Sequence, residues 1–253
     1  MHEVTADASW RVIELLSDVH LAPDMPATFD AWASHLRSSD ADALFLLGDL
    51  FEVWVGDDSR HGDFEARCVD VLAEAALRRA IFFMAGNRDF LVGDALLRAT
   101  GMAALPDPSV LVAFEQRILL THGDALCLAD TDYQRFRSEV RSPHWQRDFL
   151  ARPLAERRQV ARGLRDASAA RQRELARGGY ADVDAPAALA VLEQARAQML
   201  IHGHTHRPAS EPLAPGVVRH VLSDWDFERG VRRGDVLRLS GDGVRRVAPR
   251  SAA

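Results

Sequence analysis

Five short apolar runs, each stopped by a small polar cluster, constrain this chain more than anything else in its sequence. The runs cover residues 12–16, 43–47, 81–85, 118–121 and 199–201. The clusters are Asp18-Val19-His20, Gly48-Asp49, Gly86-Asn87-Arg88-Asp89, His122-Gly123-Asp124 and Gly203-His204-Thr205-His206. Runs this short, and apolar at almost every position, read as strands buried on both faces. Polar groups at the ends of neighbouring strands can converge on one point although distant in sequence, which is how an open sheet builds a site.

A chain of 253 residues that is 47% hydrophobic can bury a sizeable core and is not expected to be disordered. No run approaches the roughly 20 apolar residues that span a bilayer. The first eleven residues carry acids and no apolar stretch, so a secretory signal is not expected. Cys68 and Cys127 are too few for a disulfide framework, which fits a reducing cytoplasm. A net charge of −6 gives no general case for nucleic acid as a partner.

The basic charge is unevenly placed. All 31 basic residues are Arg, which a codon bias explains, but their clustering is a separate matter. Twelve of them lie between Arg135 and Arg177 against five acids, a surplus of seven positive charges. Such polarity suggests an anionic substrate or surface nearby.

Strand-like runs alternate with helical patterns at 28–37, 64–79 and 94–100, a rhythm that predicts a largely parallel sheet of the α/β class. Pro106-Asp107-Pro108 marks a turn before a strand pair at 110–114 and 117–121. From about 132 to 197 the pattern is helical, broken at Gly178-Gly179 and restarted at Asp184-Ala185-Pro186. Residues 217–222 and 235–239 read as closing, antiparallel strands. The expectation is a single catalytic domain over 1–253 with a helical cap inserted at about 131–182.

An ionised Asp18 or Asp49 beside a buried strand is costly unless paired, although a strand-end Asp is often only a helix cap. His20, two residues after Asp18, would share its side of an extended segment, and His204 and His206 repeat that spacing. Imidazole with carboxylate suits Mn, Fe, Zn or Ni rather than Ca, and the lack of thiolates argues against structural zinc. Asn87 is a weak ligand that makes sense where two ions already have enough negative partners. The positive charge left over would attract phosphate, and a water bridging the ions would be hydroxide-like near neutral pH. His122 completes the set. His2, His35, His61, His144 and His220 have no partner pattern and read as surface or packing residues, and His202 as support for its neighbours.

The five clusters, in this order, resemble the calcineurin-like metallophosphoesterases, whose pattern is D-x-H, G-D, G-N, H-G and G-H-x-H. The resemblance implies a four-layer αββα sandwich with a helical cap and a dinuclear site. It implies one ion on Asp18, His20, Asp49 and His206, and another on Asp49, Asn87, His122 and His204. Many members have His after G-N, able to protonate a leaving alkoxide. Arg88 stands there in this chain; it stays charged, cannot be that acid, and can clamp phosphate oxygens. Such a site suits a leaving group that is already good, such as a phosphate released from a pyrophosphate.

The longer strings, among them Gly48-Asp49-Leu50-Phe51-Glu52-Val53-Trp54-Val55-Gly56-Asp57-Asp58 and His202-Gly203-His204-Thr205-His206-Arg207-Pro208, resemble the UDP-2,3-diacylglucosamine hydrolase branch of that family. That resemblance implies hydrolysis of the pyrophosphate of a lipid-linked UDP-sugar, with two Mn²⁺ and a hydroxide held by them attacking the α-phosphorus. It implies peripheral contact with an anionic membrane at the cytoplasmic side of the inner membrane. It gives catalytic roles to Asp49, Asn87, Arg88 and His204, and substrate contacts to Asn87, Arg88, Asp130, Tyr133, Phe136, Ser168, Gln172 and His204. Gln172 and Leu175 stand where the branch often has Asn and then Lys. Trp145, Phe149 and Leu154 are the apolar candidates for sheltering acyl chains. The alternatives are a phosphoesterase or pyrophosphatase acting on a soluble nucleotide, and a catalytically silent scaffold that should have lost ligands; none is missing here.

Overall fold

In the computed structural model, residues 1–175, 182–228, 230 and 232–251 are described, with side chains left out at 166–175. Strand β2 (Val12–Leu16) and strand β3 (Ala43–Leu47) show why the runs are apolar throughout. Successive side chains point to opposite faces, so Ile13, Leu15, Ala43, Phe45 and Leu47 enter one core and Leu16, Leu44 and Leu46 another.

The strands form two six-stranded sheets. One orders β12 (Gly243–Val247), β11 (Val236–Ser240), β2, β3, β4 (Ala80–Met84) and β5 (Ala103–Ala104). The other orders β1 (His2–Thr5), β6 (Ser109–Ala113), β7 (Gln116–Thr121), β8 (Met199–His202), β10 (Val217–Val221) and β9 (Ala209–Ala214). Ile13, Leu15 and Phe45 of the first meet Leu111, Ile118, Leu120 and Ile201 of the second in a core between the sheets. Helices α1 (Pro26–Ser38), α2 (Asp63–Ala76) and α3 (Asp94–Thr100) supply Trp32, Leu36, Val71, Leu72 and Leu96 to the core on the outer face of the first sheet. Helix α7 (Ala185–Ala195) covers the second sheet with Ala188 and Leu192. The result is the four-layer αββα sandwich that the resemblance implied.

The sheets are mixed rather than largely parallel. Strand β11 runs antiparallel to β2, as expected of a closing strand, but β10 pairs parallel with β8 and antiparallel only with β9. The edge strands β1, β9 and β12 went unpredicted because they are half exposed and polar, and carry no buried run.

Between β7 and β8 lie α4 (Thr131–Val140), α5 (Pro143–Leu150), α6 (Leu154–Leu175) and α7. Asp130, Ser142 and Asp184 cap α4, α5 and α7, each accepting an amide hydrogen three residues on. The break at Gly178-Gly179 lies outside the described residues. Phe149 is buried, stacks on Trp145 at 4.7 Å, and with Leu154 packs on the α1–α3 core. These apolar residues seat the helices instead of forming an open lining, because the amphipathic faces of α5 and α6 turn toward the sandwich.

Of the nine arginines of this segment whose side chains are described, Arg137, Arg141, Arg157, Arg158 and Arg165 pair with acids outside it. Arg137 donates from Nε to Asp124 at 2.7 Å, Arg165 Nε lies 3.0 Å from Glu52, and Arg158 lies 3.6 Å from Glu65. Arg157 is 3% exposed and donates to both carboxylate oxygens of Asp58 and to the Val55 carbonyl. Part of the segment's positive charge therefore answers acids of the sandwich. Arg157→Ala should strand the Val55 carbonyl, costing on the order of 1–3 kcal/mol of local stability. We expect limited trypsin digestion to cut the Arg-rich segment about tenfold faster or more in this variant; an unchanged rate would contradict the seating described.

Candidate active site

Strands β2, β3 and β4 end in the first three clusters, and β7 and β8 in the last two. The clusters thus come from two facing sheets, not from one open sheet, and meet where the sheets converge. Backbone bonds tie them: Asp18 N–H donates to the Gly48 carbonyl, His20 N–H to the Asp49 carbonyl, and Gly203 N–H to the His122 carbonyl.

The clusters are not extended. Asp18, His20, Asp49, His204 and His206 all have φ between +53° and +66°, the left-handed region that Asp and His tolerate better than most side chains. This corrects the strand-alternation picture, in which residues two apart share a side. His204 Nδ1 lies 2.8 Å from Asn87 Oδ1, whereas His206 Nε2 lies 3.3 Å from Asp18 Oδ1, so the two histidines serve different groups. Glycine is required by close approach: a Cβ at Gly48 would overlap the His122 imidazole, and one at Gly203 would overlap Asp18 and Ser17.

Two clusters of donor atoms result. In one, His20 Nε2 lies 3.2 Å from His206 Nε2 and 4.0 Å from both Asp18 Oδ1 and Asp49 Oδ2. In the other, His122 Nε2 lies 3.0 Å from Asn87 Oδ1 and 3.7 Å from Asp49 Oδ1. Ligand bonds of about 2.1 Å put neighbouring donors roughly 3.0–3.4 Å apart in octahedral or tetrahedral shells, so both clusters fit a cation with small adjustment. Asp18 with His20 and His206, and Asp18 with Asp49 and His122, each bring three donor atoms within 4.8 Å.

The donor chemistry points the same way. His122 Nδ1 faces the Leu47 carbonyl at 2.9 Å and His20 Nδ1 faces Glu52 Oε2 at 2.9 Å. Each of those nitrogens must carry hydrogen, which leaves Nε2 of a neutral ring as a lone pair. Lone pairs of His20 and His122 then face other acceptors at contact distance, an arrangement that a cation stabilises.

Electrostatics agree. Burial opposes charging His122, yet Asp49, Asp18 and Asp124 push it up to about 9. Burial likewise works against ionising Asp18, but His206, His122 and His20 hold it below the ordinary carboxylate range. The buried carboxylates thus favour positive charge at His122, while burial beside His122 pushes His204 down to about 4 and keeps its ring neutral.

Other predicted residues fall as follows. Arg88 donates its backbone N–H to Asp49 Oδ1, and its guanidinium makes no hydrogen bond or ion pair among the described residues. Tyr133 donates its hydroxyl to Asp124 at 2.6 Å, and its ring centroid lies 5.9 Å from that of His204. Asp130 is the α4 cap, and Phe136 is 37% exposed on the same helix. The side chains of Ser168 and Gln172 lie outside the described residues. His202 is fully used: Nδ1 meets the Gly203 carbonyl at 2.8 Å, Nε2 accepts from Arg219 at 2.9 Å, and burial with Arg219 pushes it down to about 4. It has no nitrogen left for a metal.

Five residues important to the arrangement went unassigned in the sequence. Asp89 is fully buried and accepts from the backbone N–H groups of Gly86, Asp49, Leu50 and Phe51, pinning the third cluster to the second. Asp124 anchors Tyr133 and Arg137 of α4, while Arg141 donates to the Gly86 carbonyl. Glu52 and Asp224 stand behind His20 and His206. For Asp89 and Asp124 the signal was present, an acid inside each metal-like cluster; Asp224 follows no such pattern. Asp89→Asn would replace two acceptor positions with an NH₂ group facing amide hydrogens. We expect denaturant unfolding to show a loss of about 2 kcal/mol or more, and a near-neutral result would contradict this bracing role.

The calcineurin-like phosphoesterase family model matches residues 13–208. A UDP-2,3-diacylglucosamine hydrolase of Xanthomonas oryzae pv. oryzae (strain PXO99A) is 43% identical over 240 residues, covering 90% of this chain and 95% of that protein. One of the same name from Stenotrophomonas maltophilia (strain K279a) is 40% identical over 241 residues, covering 90% and 94%. With that match running through all five clusters, the chain belongs to the calcineurin-like phosphoesterase family.

Proposed function

We propose that this protein hydrolyses the pyrophosphate of UDP-2,3-diacylglucosamine, yielding UMP and 2,3-diacylglucosamine 1-phosphate (lipid X), a step of lipid A biosynthesis. The observation that carries the substrate is the similarity, over nine-tenths of the chain, to the Xanthomonas and Stenotrophomonas hydrolases of that name. The converging donors of Asp18, His20, Asp49, Asn87, His122, His204 and His206 support a two-ion centre suited to Mn, Fe, Zn or Ni, of which the resemblance to the UDP-2,3-diacylglucosamine hydrolases favours Mn²⁺. Divalent ions held there would neutralise phosphate charge and make a water nucleophilic at neutral pH.

The chain's own residues do the positioning. Asp49 spans both donor clusters with its two oxygens and is fixed by the Arg88 amide. The Arg88 guanidinium, uncommitted among the described residues, clamps a phosphate oxygen and stabilises the departing phosphate without donating a proton. Asn87 and His204 bound the other side, beneath the Tyr133 ring. Residues 131–182 act as a cap. Phe136, Leu164 and Val53, each more than a third exposed, offer apolar surface for the acyl chains that the buried Phe149 cannot. Among the described residues no helix is long and apolar enough to cross a membrane. The lipid substrate proposed here supports a peripheral position at the cytoplasmic face of the inner membrane.

Purified protein with Mn²⁺ should release UMP from UDP-2,3-diacylglucosamine, and far more slowly from a UDP-sugar without acyl chains. Equal rates would favour a soluble nucleotide substrate, and no release would overturn the proposal. Arg88→Ala should lower kcat about 10²-fold, the usual loss for removing one donor to developing charge.

A further inference from the structure

The two donor clusters share Asp49 but differ in what stands behind their imidazoles. In the first, Glu52 Oε2 lies 2.9 Å from His20 Nδ1 and Asp224 Oδ2 lies 3.6 Å from His206 Nδ1. Both carboxylates are themselves held, Glu52 by Arg165 of α6 and Asp224 by Arg233. Asp18, fully buried, stands with His20 and His206 and also within 4.8 Å of donor atoms of Asp49 and His122, so it does not separate the two clusters. In the second, His122 is backed by the neutral Leu47 carbonyl, and the remaining side-chain donor is the amide oxygen of Asn87. His204 turns Nδ1 toward Asn87 and has no carboxylate behind its other nitrogen among the described residues. The nearby Asp124 is taken up by Tyr133 and Arg137 and touches neither ring.

A carboxylate accepting from the far nitrogen of a ligating imidazole fixes its tautomer and orientation and makes it a stronger donor. One cluster sets a carboxylate behind both rings, at 2.9 Å from His20 and at 3.6 Å, an ion-pair rather than hydrogen-bond distance, from His206; the other sets one behind neither ring. We infer that Glu52 and Asp224 are positioning residues that make the place between Asp18, His20 and His206 the tighter of two cation positions, leaving the one at Asn87, His122 and His204 the exchangeable one. This rests on the two-ion reading of the same site. It gives the two positions different standing: the first would keep its ion, and the second, near the Tyr133 ring that lies 5.9 Å from that of His204, would exchange.

The test is equilibrium dialysis of the Mn²⁺-loaded full chain against falling Mn²⁺, with bound metal counted by plasma mass spectrometry. The wild type should fall from two ions to a plateau at one, and lose the last ion only at Mn²⁺ lower by tenfold or more. Glu52→Gln and Asp224→Asn, nearly isosteric changes checked for native circular dichroism, should move the lower step up by 10–100-fold and the upper step by less than about threefold. A general structural defect would move both steps together and overturn the inference. So would loss of both wild-type ions in one step, which leaves the two-ion reading intact. Loading that never exceeds one ion would overturn the two-ion reading itself.

Discussion

Two carboxylates almost out of reach of water, Asp18 and Asp49, set the terms for the rest of this molecule. An ionised carboxylate at the end of a buried strand is affordable only with donors and positive charge around it. Asp18 receives the Ser17 hydroxyl and the His204 amide, and Asp49 receives the Arg88 amide. The remaining oxygens face imidazoles. Meeting those needs forces left-handed backbone at five of the site positions, glycine at the points of closest approach, and the Asp89 brace that fastens the third cluster to the second.

The helical segment obeys the same accounting of charge. Its sequence looked like a basic surface awaiting an anion. In the fold, Arg137, Arg157, Arg158 and Arg165 each find an acid of the sandwich, and Arg141 reaches the Gly86 carbonyl beside Asn87. Arg165 and Arg137 contact acids that lie one residue from the donor atoms, Glu52 behind His20 and Asp124 beneath Tyr133. Helix seating and site geometry are therefore linked through ion pairs rather than through a single hinge.

Much of this was legible in the sequence. The strands at 12–16 and 43–47 and the helix at 94–100 have the predicted bounds, because unbroken apolar runs mark the strands and Gly101, left-handed at the C-cap, ends the helix. The clusters were found by their position after apolar runs, and the fold brings them together. What escaped was nonlocal: polar edge strands without a buried run, the parallel pairing of β10 with β8, and the left-handed turns that carry His204 and His206 to the different groups the resemblance implied. Single acids such as Glu52 and Asp224 gain meaning only from the imidazole that tertiary packing sets before them. The seats of Trp145, Phe149 and Leu154 were likewise invisible, since an amphipathic helix does not say which surface its apolar face will meet.

The central proposal, that these converging donors would hold two divalent ions with Asp49 offering an oxygen to each, is tested most directly by anomalous diffraction from crystals grown with Mn²⁺. The account predicts two anomalous peaks about 3.5–4 Å apart, one against His20 and His206 and the other against Asn87, His122 and His204. A single peak, or none between the two donor clusters at saturating Mn²⁺, would contradict it.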